Sequence, residues 1–101
     1  MTQVPIILND GKTLFKEVVA DAVVKTDPPS ISDGATTVIA FNVPGAAFGD
    51  FVLVAPPYSL QGLIPSMPWV SDDDEVSIAL TNNTGGAVDL DEGDWKVKVL
   101  R

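Results

Sequence analysis

With 101 residues, 46% of them hydrophobic and none of them cysteine, the chain has room for one packed core and no disulfide to staple it. A formal net charge of −8 excludes nucleic acid and anionic membrane as main partners, since both require a basic contact face. No apolar run approaches the ~20 residues of a membrane span, no basic-then-apolar leader is visible at the start, and the missing thiols fit assembly in a reducing cytoplasm.

Taken in chain order, Val4-Pro5-Ile6-Ile7-Leu8 is apolar and carries a proline, which reads as an edge strand or an arm. Asn9-Asp10-Gly11 is a hairpin signal, so Ile6–Asn9 is expected to pair with Lys12–Phe15. Residues 1–17 are therefore set apart as an N-terminal arm or hairpin, and 18–101 as a β-sandwich domain. Leu14, Phe15, Val18, Val19, Ala22 and Val23 fall at helical spacing, but the valines of Leu14–Val24 resist a helix through lost side-chain freedom. A strand over Val18–Lys25 is expected instead.

Thr26–Gly34, dense in Pro, Ser, Asp and Gly, is a loop long enough to cross between sheets. Thr36–Val43 alternates, with Thr37, Ile39, Phe41 and Val43 set against Thr36, Val38, Ala40 and Asn42. A corner follows, and then a second strand, Phe51–Ala55, read as buried on both faces. Pro44, Gly45, Gly49 and Asp50 are its structural turn residues, the glycines for backbone freedom and Asp50 as a cap. Leu60–Ile64 and Met67–Val70 form an extended pair broken by Pro65 and Pro68, which places it at a sheet edge or bulge.

Glu75–Thr81 has the cleanest period of two, with Val76, Ile78 and Leu80 on one side. The last strand is as clean, Trp95, Val97 and Val99 inward and Lys96, Lys98 and Arg101 outward, and is expected to partner Glu75–Thr81. Outward lysines on it would blunt a sheet edge. Between the two, Asn82–Gly86 is a turn, Ala87–Leu90 a short strand and Asp91–Asp94 another turn. The expected fold is all-β: a single antiparallel β-sandwich of Greek-key or jelly-roll type, about 7–8 short strands, with an N-terminal hairpin or arm.

Charge is unevenly placed. Asp72, Asp73, Asp74, Glu75, Asp89, Asp91, Glu92 and Asp94 carry the whole net charge, and the rest of the chain balances six acids against six bases. Were Ala87–Leu90 to run back along the sandwich, these acids would converge on one patch. A solvated end is the ordinary reading of such a patch. A calcium site needs converging oxygens, which consecutive carboxylates do not supply by themselves.

Histidine is absent along with cysteine, which removes the commonest general base and the thiol nucleophile. No serine sits in a nucleophile elbow, and no glycine loop opens a helix for phosphate. The sequence therefore reads as non-enzymatic, with no cofactor and no metal. Tyr58 and Trp69, beside prolines, are candidates for an exposed aromatic platform for sugars, while Trp95 falls in an inward register.

From Ala35 to the end the chain resembles a segment that recurs in tailed-bacteriophage structural proteins. The pattern is a Thr/Val strand, then Val-Pro-Gly-Ala-x-x-Gly-Asp-Phe-Val at Val43–Val52 and Leu-Gln-Gly-Leu at Leu60–Leu63. Glu-Val-Ser-Ile-Ala-Leu follows at Glu75–Leu80, Asn-x-Thr-Gly-Gly-Ala-Val-Asp-Leu at Asn82–Leu90, and Trp-Lys-Val-Lys-Val at Trp95–Val99. The resemblance implies a capsid decoration, or cement, protein: a small β-sandwich bound to the major capsid protein on the virion surface, assembled in the host cytoplasm, usually as homotrimers. The N-terminal stretch lies outside the pattern. Val4, Ile6, Ile7, Leu8, Leu14 and Phe15 are its candidate interface residues, on an arm that reaches a neighbouring subunit. Related sandwiches in head fibres and tails make a carbohydrate- or receptor-binding module the alternative.

Overall fold

Strands with one apolar face must cover it, and here two sheets cover each other. The computed structural model describes residues 6–7, 13–15 and 17–101, the first two stretches as backbone only. Within them run β1 (Ile6–Ile7), β2 (Thr13–Phe15), β3 (Val18–Thr26), β4 (Thr36–Asn42) and β5 (Phe51–Ala55). The chain continues through β6 (Ile64–Pro65), β7 (Trp69–Asp72), β8 (Glu75–Thr81) and β9 (Gly93–Leu100), with no helix among the described residues.

One sheet has the order β3-β9-β5; in the other, β8 lies between β4 and the collinear pieces β6 and β7. The chain changes sheet at each step from β3 to β6, stays in one sheet through β6, β7 and β8, and returns with β9; the late strands β8 and β9 each insert between earlier ones. The fold is a small antiparallel β-sandwich. The 26–35 loop crosses between sheets as its composition predicts.

The two central strands supply the core. Trp95, Val97 and Val99 of β9 face Val76, Ile78 and Leu80 of β8, with Ile39 and Phe41 from β4 beside them, and all are buried. Each fully buried side chain of this kind contributes roughly 1.5–3 kcal/mol. The Phe41 and Trp95 rings lie 5.8 Å apart, and Tyr58 meets Trp95 edge-on at 6.0 Å. Ser66 bridges the break in the edge strand: its N–H donates to Ala79 O at 2.8 Å, and its hydroxyl accepts from Ala79 N at 3.0 Å. Both prolines of that strand sit at the edge, where no ladder bond is lost.

Four expectations are corrected. β9 does not partner β8; the two are the centres of opposite sheets. Its lysines consequently tile an outer face and guard no edge, because β9 has a strand on each side. Strand β5 is not buried on both faces: Val52 points in, whereas Phe51 and Leu53 point out of an edge strand. Ala87–Leu90 is not a strand but a single bridge, Val88 to Ile31. The N-terminal hairpin is seen as β1 on β2, with Ile6 opposite Phe15. Val4, Leu8 and the Asn9-Asp10-Gly11 turn lie outside the described residues.

Candidate interaction surfaces

The Val43–Val54 corner joins the end of β4 to the start of β5, and Asp74 locks it from below. Val43 N donates to Asp74 O at 2.7 Å, Asp74 N to Ala46 O at 2.9 Å, and Gly45 N to Asp74 Oδ1 at 2.8 Å. Gly45 and Gly49 hold φ of 97° and 92°, which a Cβ would resist. Pro44 lies exposed between them and β4. Asp50 caps the turn by accepting from Ala47 N at 3.0 Å, as its position suggests.

Asp50 also does what its position does not suggest. Arg101 forks onto it, with Nε to Oδ1 and Nη2 to Oδ2 both at 2.9 Å, and reaches Glu17 Oε1 at 3.3 Å. Burial works against the charge on Asp50. The hydrogen bonds from Arg101 and Ala47, with the guanidinium's own field, outweigh it and hold the carboxyl below the usual carboxylate range. Paired backbone bonds between Glu17 and Arg101 complete the clamp.

The acids do not converge. Asp72–Glu75 closes the β7–β8 turn at this corner end, while Asp91–Asp94 opens β9 at the other end, opposite Thr26 and Lys25. No group of acids able to hold a metal ion occurs among the described residues. The single acidic patch is thus replaced by two acidic ends.

The aromatic platform is not assembled either. Tyr58 donates its hydroxyl hydrogen to Asp91 O and accepts from Trp95 Nε1 at 3.3 Å, so it belongs to the packing of the far end. Trp69 sits on the edge strand β7, opposite Ser77. The alternative carbohydrate surface loses its shared face.

Two surfaces that periodicity did not single out appear instead. The outer face of β3-β9-β5 carries Asp21, Lys98 and Leu53 in one row and Val23, Lys96 and Ala55 in the next. Lys25 and Asp94 form a third row, so this face holds every lysine whose side chain is described. Its ion pairs are long and exposed: Lys98 to Asp21 at 3.8 Å, and Lys25 to Glu92 at 3.5 Å. A shallow cavity of about 490 Å³ spans it between Val23 and Leu53. The second surface is a groove of about 320 Å³ along the open side of the sandwich, between β5 and β7, walled by Leu53, Met67, Pro68 and Trp69. The first arises because β9 lies between β3 and β5, the second because β5 and β7 end their sheets, and both placements depend on topology and not on local pattern.

Fold and surfaces together define a small antiparallel β-sandwich with two faces suited to contact. Compared with known protein families, with curated proteins and with solved structures, the chain matches none.

Proposed function

We propose that the protein is a non-enzymatic structural component of a tailed-bacteriophage virion. It binds the outer head shell as trimers, contacts the major capsid protein and cements the lattice. The observation that supports this most is the lysine-bearing face of β3-β9-β5, which also exposes Val23 and Leu53, on a sandwich with acidic clusters at both ends. A charged, half-apolar sheet face of this kind suits a broad protein surface of acidic character. The acidic ends then stay in solvent and keep the copies soluble. The resemblance from Ala35 onward points the same way.

A specific, stable contact of this type buries about 1,200–2,000 Å² in total. Its charge component weakens with salt, because exposed pairs are screened beyond roughly 8–10 Å at physiological ionic strength. The test is co-sedimentation of the purified protein with shells that lack it. Saturable binding is expected, reduced at least about tenfold by Lys96→Glu with Lys98→Glu and weakened by added salt. Protein that stays in the supernatant at all concentrations overturns the reading.

A further inference from the structure

We infer that the shallow cavity on the outer face of β3-β9-β5 holds an extended segment of the major capsid protein with the pattern apolar–x–acid–x–apolar, its single carboxylate seated between Lys96 and Lys98. The inference deepens the reading above and takes the partner's identity from it; the pattern comes from the geometry of the face alone.

Three charged side chains line the cavity, Asp21, Lys96 and Lys98, so two cations face one carboxylate and one positive charge is left over. Lys98 reaches Asp21 only at 3.8 Å, and Lys25, in the third row, leans to Glu92 at 3.5 Å. Among the described residues Lys96 has no carboxylate partner. Across the strands it has Val23 on one side and Ala55 on the other, so apolar side chains stand where a counter-charge would. One carboxylate from a partner balances the cavity. A second would meet Asp21 or, in the next row, Asp94. The face therefore selects a single acid and rejects an acidic run by like-charge repulsion.

The apolar walls set what lies on either side of that acid. Val23 is 63% exposed and Leu53 60%. Val23 stands in the row of Lys96 and Leu53 in the row of Lys98, on opposite sides of β9. With strands about 4.8 Å apart and alternate residues about 6.8 Å apart along a strand, the two stand roughly 12 Å apart, on a diagonal that crosses β9 between the lysines. In an extended segment, residues i and i+4 stand about 13 Å apart on one face, with i+2 midway. The match sets two apolar side chains on Leu53 and Val23 and the acid between Lys96 and Lys98.

A second copy of this chain is the wrong occupant for the face. Two copies packed face to face about a two-fold axis set the lysines of one β9 against those of the other, and like charges oppose the contact. A foreign segment carrying one acid meets no such opposition.

The test follows the amide NMR spectrum of the isotope-labelled full chain during titration with blocked pentapeptides. Acetyl-Leu-Ser-Glu-Ser-Val-amide is expected to shift signals at 21–23, 53–55 and 96–98, with a dissociation constant of about a millimolar. The constant rises at least about tenfold when Gln replaces the peptide's Glu, when Ser replaces its Leu and Val, or in a Lys96→Gln chain. Lys25→Gln, which removes a lysine paired with Glu92 outside the cavity, leaves it within about twofold. An absence of shifts at these positions, a Gln peptide that binds as well as the Glu peptide, or a face that pairs with a second copy in preference overturns the inference. Shells that ignore the protein in co-sedimentation overturn the reading above and the partner named here, while the peptide result alone decides the pattern.

Discussion

Replacing Asn82 tests most severely how the far end of the sandwich is held. This side chain is fully buried at the end of β8, and each polar atom has a double role. Its Nδ2 donates to Ile31 O at 2.7 Å and to Gly86 O at 2.8 Å, while Oδ1 accepts from Thr84 N at 2.9 Å and Thr84 Oγ1 at 2.8 Å. It thereby ties the 27–35 crossing to the 83–88 turn. Asn82→Ala removes four hydrogen bonds, each worth a net ~0.5–1.5 kcal/mol. Three of the four partners keep another bond: Ile31 O still accepts from Val88 N, and Gly86 O and Thr84 Oγ1 stay bonded to each other. The expected loss is therefore about 2–4 kcal/mol, below the simple sum but large against a total stability of ~5–15 kcal/mol.

Asn82→Asp separates hydrogen bonding from size. Its second oxygen faces two carbonyl oxygens, so burial and that repulsion raise the carboxyl's pKa in the folded state. A raised folded-state value gives a penalty that is absent below the unfolded value near 4 and grows as pH rises through it. The assay is urea unfolding at 25 °C followed by the fluorescence of buried Trp95, at pH 4 and pH 7. Asn82→Asp should be clearly less stable than Asn82→Ala at pH 7 and should close that gap at pH 4. An Asn82→Ala loss below about 1 kcal/mol, or an Asn82→Asp penalty flat in pH, refutes the clamp.

Three further outcomes follow from single features. At Gly93 an added Cβ would meet Pro57 Cγ at 2.7 Å and Tyr58 Cε2 at 3.0 Å, so Gly93→Ala is expected to cost about 1–3 kcal/mol, while Gly86→Ala, with open space around it, stays within ~0.5 kcal/mol in the same melts. Asp50, its pKa depressed in the folded state, contributes stability that is complete above the unfolded value near 4 and is lost as pH falls through the lower folded one. Asp50→Asn should thus flatten the acid limb of a pH–stability curve and change little in the shape above pH 6. Because the acids lie at opposite ends, millimolar calcium should leave the melting temperature where chelator leaves it, and a rise would show a site formed by residues now apart.

The strands were legible because period-two alternation is local: β4, β8 and β9 announce their inward residues in sequence, and Trp95, Val97 and Val99 are all buried. Proline marked β6 and β7 as edge pieces for the same reason, since a missing N–H is a property of one residue. What sequence could not assign was which strands become neighbours. β9 looks like an edge strand with protective lysines, yet it inserts between β3 and β5, and this single misplacement hid the lysine face. Asn82 read as one more turn residue. Only its burial shows it as a clamp, although an Asn with Thr two positions on is the usual signal for a side chain folding back on its own turn. The convergence of Asp50, Glu17 and Arg101 joins three distant segments, and no spacing rule reaches that far.

The most direct test of the account is the heat stability of head shells with and without the protein. Shells lacking it are titrated with purified protein and heated, and release of their contents is followed by dye fluorescence. The account predicts a release temperature that rises with occupancy to a plateau, and that fails to rise when Lys96→Glu/Lys98→Glu protein is added. A release temperature indifferent to saturating wild-type protein contradicts the cementing role.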